Sequence, residues 1–205
     1  MPEAGRNTVM EKQVLLYLIR HGKTPGNEEK RYVGRTDESL STLGREALLQ
    51  KQFPRVELLF SSPMKRCMES CECLYPKQEI RIIPDFREID FGTFEGKNYQ
   101  ELSGNQEYQA WIDSGGTLPF PKGEDRQAFI QRSLTGFQEL LQMLREYKDS
   151  DFSAAAVVHG GTIMAILSAH FGGDYYDYQI PNGEGYCVTM KLDDKNVQIL
   201  TINRI

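Results

Sequence analysis

Short apolar runs of strand length alternate along the chain with segments whose apolar residues recur at helical spacing. Each run lies next to a segment of helical period, which is typical of β-α units around a largely parallel sheet that is buried on both faces. The four predicted strands of this kind are residues 14–19, 57–60, 80–83 and 154–158. The main predicted helices are residues 42–51, 63–74, 124–147 and 160–171.

The end of the chain and one internal segment depart from this alternation. Residues 185–192 and 197–202 predict a hairpin, which adds an antiparallel edge to the sheet. Residues 91–122 hold turns and a short helix at 106–113, and they are expected to form an insertion or lid. The predicted fold is therefore a three-layer α/β/α sandwich with a mostly parallel sheet. It forms a single domain over residues 14–205, and the polar residues 1–13 are expected to be a disordered leader.

Composition narrows the class of protein. Lys and Arg number 24 and Asp and Glu number 29, so the 205-residue chain has a formal charge of −5. Such a chain is a weak candidate for nonspecific binding to nucleic acid or membrane surfaces. No apolar run reaches membrane-span length, and the N-terminus lacks a signal-peptide pattern. We expect a cytoplasmic protein, monomeric or homodimeric, whose four cysteines are reduced and serve packing.

Two of the three histidines follow predicted buried strands directly. His21 ends the first strand and His159 ends the fourth, and each is followed by glycine. Ligands of parallel sheets bind beyond the carboxyl ends of the strands, so both histidines are expected on one rim of the sheet. His170 lies at the end of the following helix, and we expect a structural role for it.

Two arginines belong to the same rim. Arg20 precedes His21, and Arg66 follows two serines at the start of the helix after the second strand. Two guanidinium groups, two histidines and a helix N-terminus suit a tetrahedral dianion. No cluster with metal-ligand spacing accompanies them, so no cofactor and no metal are expected. Phosphoryl transfer without a metal needs this supply of cations and N–H donors.

Transfer of a phosphoryl group also needs an acid that gives a proton to the leaving oxygen. Glu88 follows the third strand among apolar neighbours, which favours a raised pKa and a retained proton. Asp90 is the competing candidate. Glu95 is a third, for which we expect a structural role in capping or pairing.

These residues resemble the signatures of the histidine phosphatase superfamily, in its phosphoglycerate-mutase-like branch. Residues 20–27 match the R-H-G-x-T-x-x-N motif, and the resemblance covers about residues 15–167. The further matching blocks, in family order, are residues 32–37, 40–44, 61–66, 88–92, 94–96 and 158–161.

The resemblance implies a role for each matched residue. His21 is the expected nucleophile, which becomes a phosphohistidine, and Glu88 is the expected proton donor and then the base that activates water. The expected phosphate clamp is Arg20, Arg66 and His159. The expected substrate-binding residues beside the clamp are Asn27, Gly34 and Gly160.

The family contains both mutases and phosphatases. Mutases that depend on 2,3-bisphosphoglycerate carry an extra cationic cluster, which begins directly after the catalytic glutamate. In this chain Ile89 follows Glu88. The segment between Gly96 and Gly123 contains only two basic residues, Lys97 and Lys122, so the cluster is missing. We therefore expect a phosphomonoesterase acting on a small-molecule phosphate ester, with a phosphoglycerate mutase as the alternative. Residues 91–125 resemble the α-ribazole phosphatase group, which makes α-ribazole 5′-phosphate a candidate substrate. A noncatalytic phospholigand-binding protein is the alternative of another class.

Overall fold

The computed structural model describes residues 12–205, which form one six-stranded sheet with helices packed on its two faces. The strand order is β3-β2-β4-β1-β5-β6. The strands β1, β2, β3 and β4 pair in parallel, and β5 and β6 add the antiparallel edge. The strands are β1 Lys12–Arg20, β2 Leu58–Ser61, β3 Ile80–Ile82, β4 Asp151–Val158, β5 Gly185–Leu192 and β6 Val197–Arg204. The predicted fold class is confirmed.

Six α-helices and three short 3-10 turns complete the fold of residues 12–205. The helices are α1 Pro25–Glu28, α2 Thr42–Leu49, α3 Lys65–Leu74, α4 Gln106–Asp113, α5 Arg126–Glu146 and α6 Gly160–Phe171. The 3-10 turns are Pro84–Phe86, Gly92–Phe94 and Tyr175–Tyr178. Within residues 12–205, none of these helices combines the length and the apolar character that a membrane span requires.

The core lies in two layers, one on each side of the sheet. Apolar side chains of α5 and α6 pack on one face of the sheet. On the other face, the buried thiols of Cys67 and Cys71 project from α3 into a smaller cluster. All four cysteines are free, so the expected packing role is confirmed for these two.

The two central strands begin earlier than predicted. β1 begins at Lys12 and β4 begins at Asp151, whereas the apolar runs predicted starts at residues 14 and 154. Pairing explains the extension, because Gln13 lies opposite Asp151 in β4 and opposite Lys191 in β5. Lys12 and Gln13 therefore belong to the sheet and not to the predicted leader. Residues 1–11 lie outside the described part of the chain.

The segment of residues 91–122 packs around an aromatic cluster of its own. Phe94, Leu102 and Phe120 are buried there, against Phe129 of α5 and Ala165 of α6.

The two ends of this segment meet where the N–H of Thr93 donates to the carbonyl of Pro121 at 2.8 Å. Gly92 makes that meeting possible. Its φ is +56°, and an added Cβ would lie 2.1 Å from the Pro121 carbonyl oxygen.

The parallel strands end on one rim, as predicted. Arg20 at the end of β1 lies opposite Val158 at the end of β4, and Ser61 of β2 lies opposite Val157. The residues that follow these ends are therefore held next to one another.

Candidate active site

His21 follows β1 and is fixed in one orientation by the backbone beside it. Its side chain is almost wholly buried, with 4% exposed, and its Nδ1–H donates to the Gly22 carbonyl at 2.7 Å. This hydrogen bond leaves the lone pair on Nε2. Burial lowers the pKa of His21 well below its ordinary value, and the nearby charges of Arg66 and Arg20 lower it further. The imidazole is therefore neutral near pH 7 and able to act as a nucleophile.

His159 follows β4 and adjoins His21. The two ring centroids are 5.1 Å apart, with 66° between the ring planes. His159 Nε2 and the Ser62 hydroxyl share a hydrogen bond of 2.8 Å. Burial is again the main cause that lowers the pKa of His159, followed by the charge of Arg66. The second histidine is thus a neutral, oriented hydrogen-bonding group.

Two arginines supply positive charge, and in residues 12–205 no carboxylate forms an ion pair with either of them. Arg66 is wholly buried, and its Nη1 and Nη2 donate to the carbonyls of Thr36 at 2.8 Å and Gly34 at 2.9 Å. Arg20 Nη1 donates to the Ile180 carbonyl at 2.6 Å. The Nε of each arginine is buried without a partner, and neither has an ion pair in the described part of the chain. Buried cations of this kind are stabilised by a bound anion.

The loop that holds Arg66 is itself held by Glu95. One Glu95 oxygen accepts from the N–H groups of Gly34 at 2.8 Å and Thr36 at 2.9 Å. The structural role expected for Glu95 is therefore confirmed.

Gly34 does not line the cavity at His21, although we expected it to contact the substrate. An added Cβ there would lie 2.0 Å from the Ile89 carbonyl oxygen, so Gly34 serves the close packing that positions Arg66.

Glu88 is the carboxyl group that faces the two arginines. Its Oε1 accepts from the Ile89 N–H at 3.0 Å. Burial raises the pKa of Glu88 above its ordinary value, although the Ile89 hydrogen bond and the charges of Arg66 and Arg20 oppose this shift. A raised pKa favours a proton donor.

Asp90 lies elsewhere. It accepts from the Gly92 N–H at 2.8 Å, forms an ion pair with Arg35 at 3.4 Å, and does not line the cavity.

A cavity of about 270 Å³ opens in front of these groups. Five of the predicted site residues line it, and these are Arg20, His21, Asn27, Glu88 and Gly160. Arg66 and His159 are wholly buried beside His21. The other walls include aromatic side chains from three parts of the chain, namely Tyr32, Phe91, Trp111, Phe120, Tyr175 and Tyr176. In residues 12–205, no three His, Cys, Asp or Glu side chains are grouped so as to hold a metal ion.

Sequence reasoning missed three residues at the site. Arg126, the first residue of α5, lines the cavity, and it lies just beyond the segment from Gly96 to Gly123 in which basic residues are scarce. Tyr175 lies in a 3-10 turn that no periodicity indicates. Asn182 Nδ2 donates to the His21 carbonyl at 3.1 Å and to Asn27 Oδ1 at 3.2 Å, a contact between residues that are far apart in sequence.

His170, near the end of α6, does not line the cavity. The His170 ring packs edge-on against Phe137 of α5, with the centroids 5.1 Å apart. Burial lowers the pKa of His170. The structural role expected for this histidine is confirmed.

Comparison with known proteins identifies relatives over most of the chain. The family model of the histidine phosphatase superfamily (branch 1) matches residues 16–204. An adenosylcobalamin/α-ribazole phosphatase from Escherichia coli is 26% identical over 165 residues, which are 77% of this chain and 79% of the relative. A 2,3-bisphosphoglycerate-dependent phosphoglycerate mutase from Chlamydia felis is 26% identical over 189 residues, covering 74% of this chain and 82% of the mutase.

A solved structure shows the same fold over nearly the whole chain. Phosphoserine phosphatase from Entamoeba histolytica, in complex with 3-phosphoglyceric acid, superposes with a TM-score of 0.72 at 23% identity. The match covers 93% of this chain and 96% of that protein.

Proposed function

The chain belongs to the histidine phosphatase superfamily and is a phosphatase of that family, and we propose that it hydrolyses small phosphate monoesters through a phosphohistidine on His21, without a metal ion. The observation that carries this proposal is the state of His21. Its Nδ1–H is bonded to the Gly22 carbonyl, and its lone pair lies beside two arginines whose Nε groups are buried without a partner.

The first step transfers the phosphoryl group to the enzyme. The Nε2 lone pair of His21 forms a bond to phosphorus while the bond from phosphorus to the ester oxygen breaks. Glu88 gives its proton to that leaving oxygen, and Arg20 and Arg66 neutralise the phosphoryl oxygens. The products of this step are the free alcohol and phosphohistidine.

The second step returns the enzyme to its starting state. The Glu88 carboxylate takes a proton from a water molecule, whose oxygen attacks phosphorus, and the bond between nitrogen and phosphorus breaks. Inorganic phosphate leaves, His21 is again neutral, and Glu88 is again protonated. One carboxyl group therefore serves as acid and then as base.

The leaving group occupies the aromatic cavity in this proposal. The aromatic walls favour a ring, and one relative is named an adenosylcobalamin/α-ribazole phosphatase, so α-ribazole 5′-phosphate is one candidate substrate. The expected partners are small phosphate esters and not nucleic acid or membranes, in agreement with the formal charge of −5. We propose that the protein acts as a monomer or homodimer.

Activity is expected to survive removal of divalent metal ions, because Arg20 and Arg66 already supply the positive charge that a metal would bring. The measurement is hydrolysis of p-nitrophenyl phosphate before and after treatment with EDTA, with and without added magnesium. A large loss on chelation that magnesium restores would contradict the metal-free mechanism. Phosphate binding without any turnover would favour the noncatalytic phospholigand-binding alternative.

Mutase activity is expected to be minor. Arg31 lines the cavity, but its guanidinium is already bonded to Glu29 at 2.6 Å and Glu101 at 2.6 Å. Arg126 adds one cation and not a cluster. Incubation with 3-phosphoglycerate and 2,3-bisphosphoglycerate should therefore release phosphate and form little 2-phosphoglycerate. Efficient isomerisation would identify the chain as a mutase instead.

A further inference from the structure

Arg126 is a cation in the substrate cavity that the proposed mechanism does not use. It is the first residue of α5 and lines the same cavity as His21. Among residues 12–205, no ion pair or hydrogen bond engages its guanidinium, and its Nε is buried without a partner. The neighbouring carboxylates are engaged elsewhere, since Asp125 caps α5 and Glu124 binds Arg132 at 2.8 Å.

Helix stability does not explain an arginine at this position. A cation in the first turn of a helix opposes the helix dipole, which favours negative charge there. The guanidinium lies over the Tyr175 ring, whose centroid is 5.6 Å from Cζ. A cation over an aromatic ring is oriented by it, while its N–H groups stay available to a ligand.

Tyr175 connects Arg126 with the reacting groups. Its hydroxyl donates to the Gly161 carbonyl at 3.2 Å, and Gly161 packs so closely on Glu88 that an added Cβ would lie 2.6 Å from Oε1. Burial and the charge of Glu88 raise the pKa of Tyr175, so the phenol stays neutral. The Tyr175 ring therefore forms one wall of the cavity. Glu88 lies near its hydroxyl group, and the guanidinium of Arg126 lies over its face.

We propose that Arg126 binds a carboxylate on the alcohol part of the substrate, so that the preferred substrates are phosphate monoesters of small hydroxy acids or hydroxy amino acids. The inference rests on the proposed function and narrows its substrate class. A guanidinium offers paired N–H donors that match the two oxygens of a carboxylate. A cavity of about 270 Å³ also suits a skeleton of few carbons, because it is at the small end of ligand sites.

Two substrates that differ in one group test this proposal. 3-Phosphoglycerate carries a carboxylate where glycerol 3-phosphate carries a hydroxymethyl group, and both leave as alkoxides. Wild-type kcat/KM is expected to be higher for 3-phosphoglycerate. In Arg126→Gln, the ratio of kcat/KM for 3-phosphoglycerate to that for glycerol 3-phosphate should fall by about 10- to 100-fold. This is the usual effect of removing a hydrogen bond to a charged group. Turnover of p-nitrophenyl phosphate by the variant shows that it is folded.

Arg31→Gln is the matched control, because Arg31 lines the same cavity but is bound to Glu29 and Glu101. It should leave the ratio unchanged. An unchanged ratio in Arg126→Gln would overturn the carboxylate proposal, while turnover of all three esters would leave the proposed function standing. No turnover of any ester by the wild-type protein would instead contradict the proposed function.

α-Ribazole 5′-phosphate distinguishes an Arg126 that binds a carboxylate from an Arg126 that packs on any leaving group. This ester has no carboxylate, so Arg126→Gln should leave its kcat/KM nearly unchanged. An equal loss on α-ribazole 5′-phosphate and on 3-phosphoglycerate would mean that Arg126 packs on any leaving group, and this outcome would also overturn the proposal.

Discussion

His21→Ala is expected to abolish turnover of every phosphate ester while leaving the fold intact. The side chain supplies the attacking nitrogen, and loss of a nucleophile costs several orders of magnitude in rate. Its hydrogen bond is to the carbonyl of the adjacent Gly22, and its ring contact is with His159 at the rim, beyond the paired part of the strands. The measurements are steady-state hydrolysis of p-nitrophenyl phosphate and trapping of labelled phosphate on the protein. The wild-type label should be labile to acid and stable to base, and the variant should carry none.

His170→Ala is the matched control for this experiment. His170 packs on Phe137 and does not line the cavity. The variant should therefore retain both turnover and the acid-labile label, with a modest loss of stability at most. Normal activity in His21→Ala would contradict the phosphohistidine route, whatever the behaviour of the control.

The rim of the sheet was predictable because it depends on local patterns. An apolar run followed by a polar residue and glycine marks the end of a buried strand, and parallel strands end on one rim. This reasoning placed His21 and His159 together, and their rings are 5.1 Å apart. The helix start after the second strand placed Arg66 beside them in the same way.

The rest of the site depends on contacts between distant parts of the chain. Asn182 reaches His21 from the turn before β5, and Tyr175 reaches Gly161 from the turn after α6. Neither position lies in a periodic segment, so no local pattern indicates it. Gly34 has a packing role that its motif does not indicate, because a Cβ there would meet the Ile89 carbonyl. Its contact with the substrate stays a prediction.

Glu88→Gln is expected to slow hydrolysis most for esters with a strongly basic leaving group. The alkoxide of ribose 5-phosphate needs a proton in the transition state, whereas nitrophenolate is a stable anion. General acid catalysis is worth about 10²–10⁴ in rate, so the variant should lose far more on ribose 5-phosphate than on p-nitrophenyl phosphate. Steady-state and burst kinetics on both substrates are the measurements. If dephosphorylation limits both reactions, the losses converge, and the burst phase then reports the first step alone.

Asp90→Asn is the control for this assignment, since Asp90 binds Gly92 and Arg35 and does not line the cavity in front of His21. A selective loss in Asp90→Asn, with none in Glu88→Gln, would assign the acid to the other carboxylate.

The pH dependence gives a second test of the same group. Burial raises the pKa of Glu88, so the acid form is present below that raised value and is lost as pH rises through it. His21 stays neutral in this range because its pKa is lowered. In the wild-type protein, the ratio of kcat/KM for ribose 5-phosphate to that for p-nitrophenyl phosphate should therefore fall as pH rises. In Glu88→Gln the ratio should be low and independent of pH, since no titrating acid is left to donate the proton.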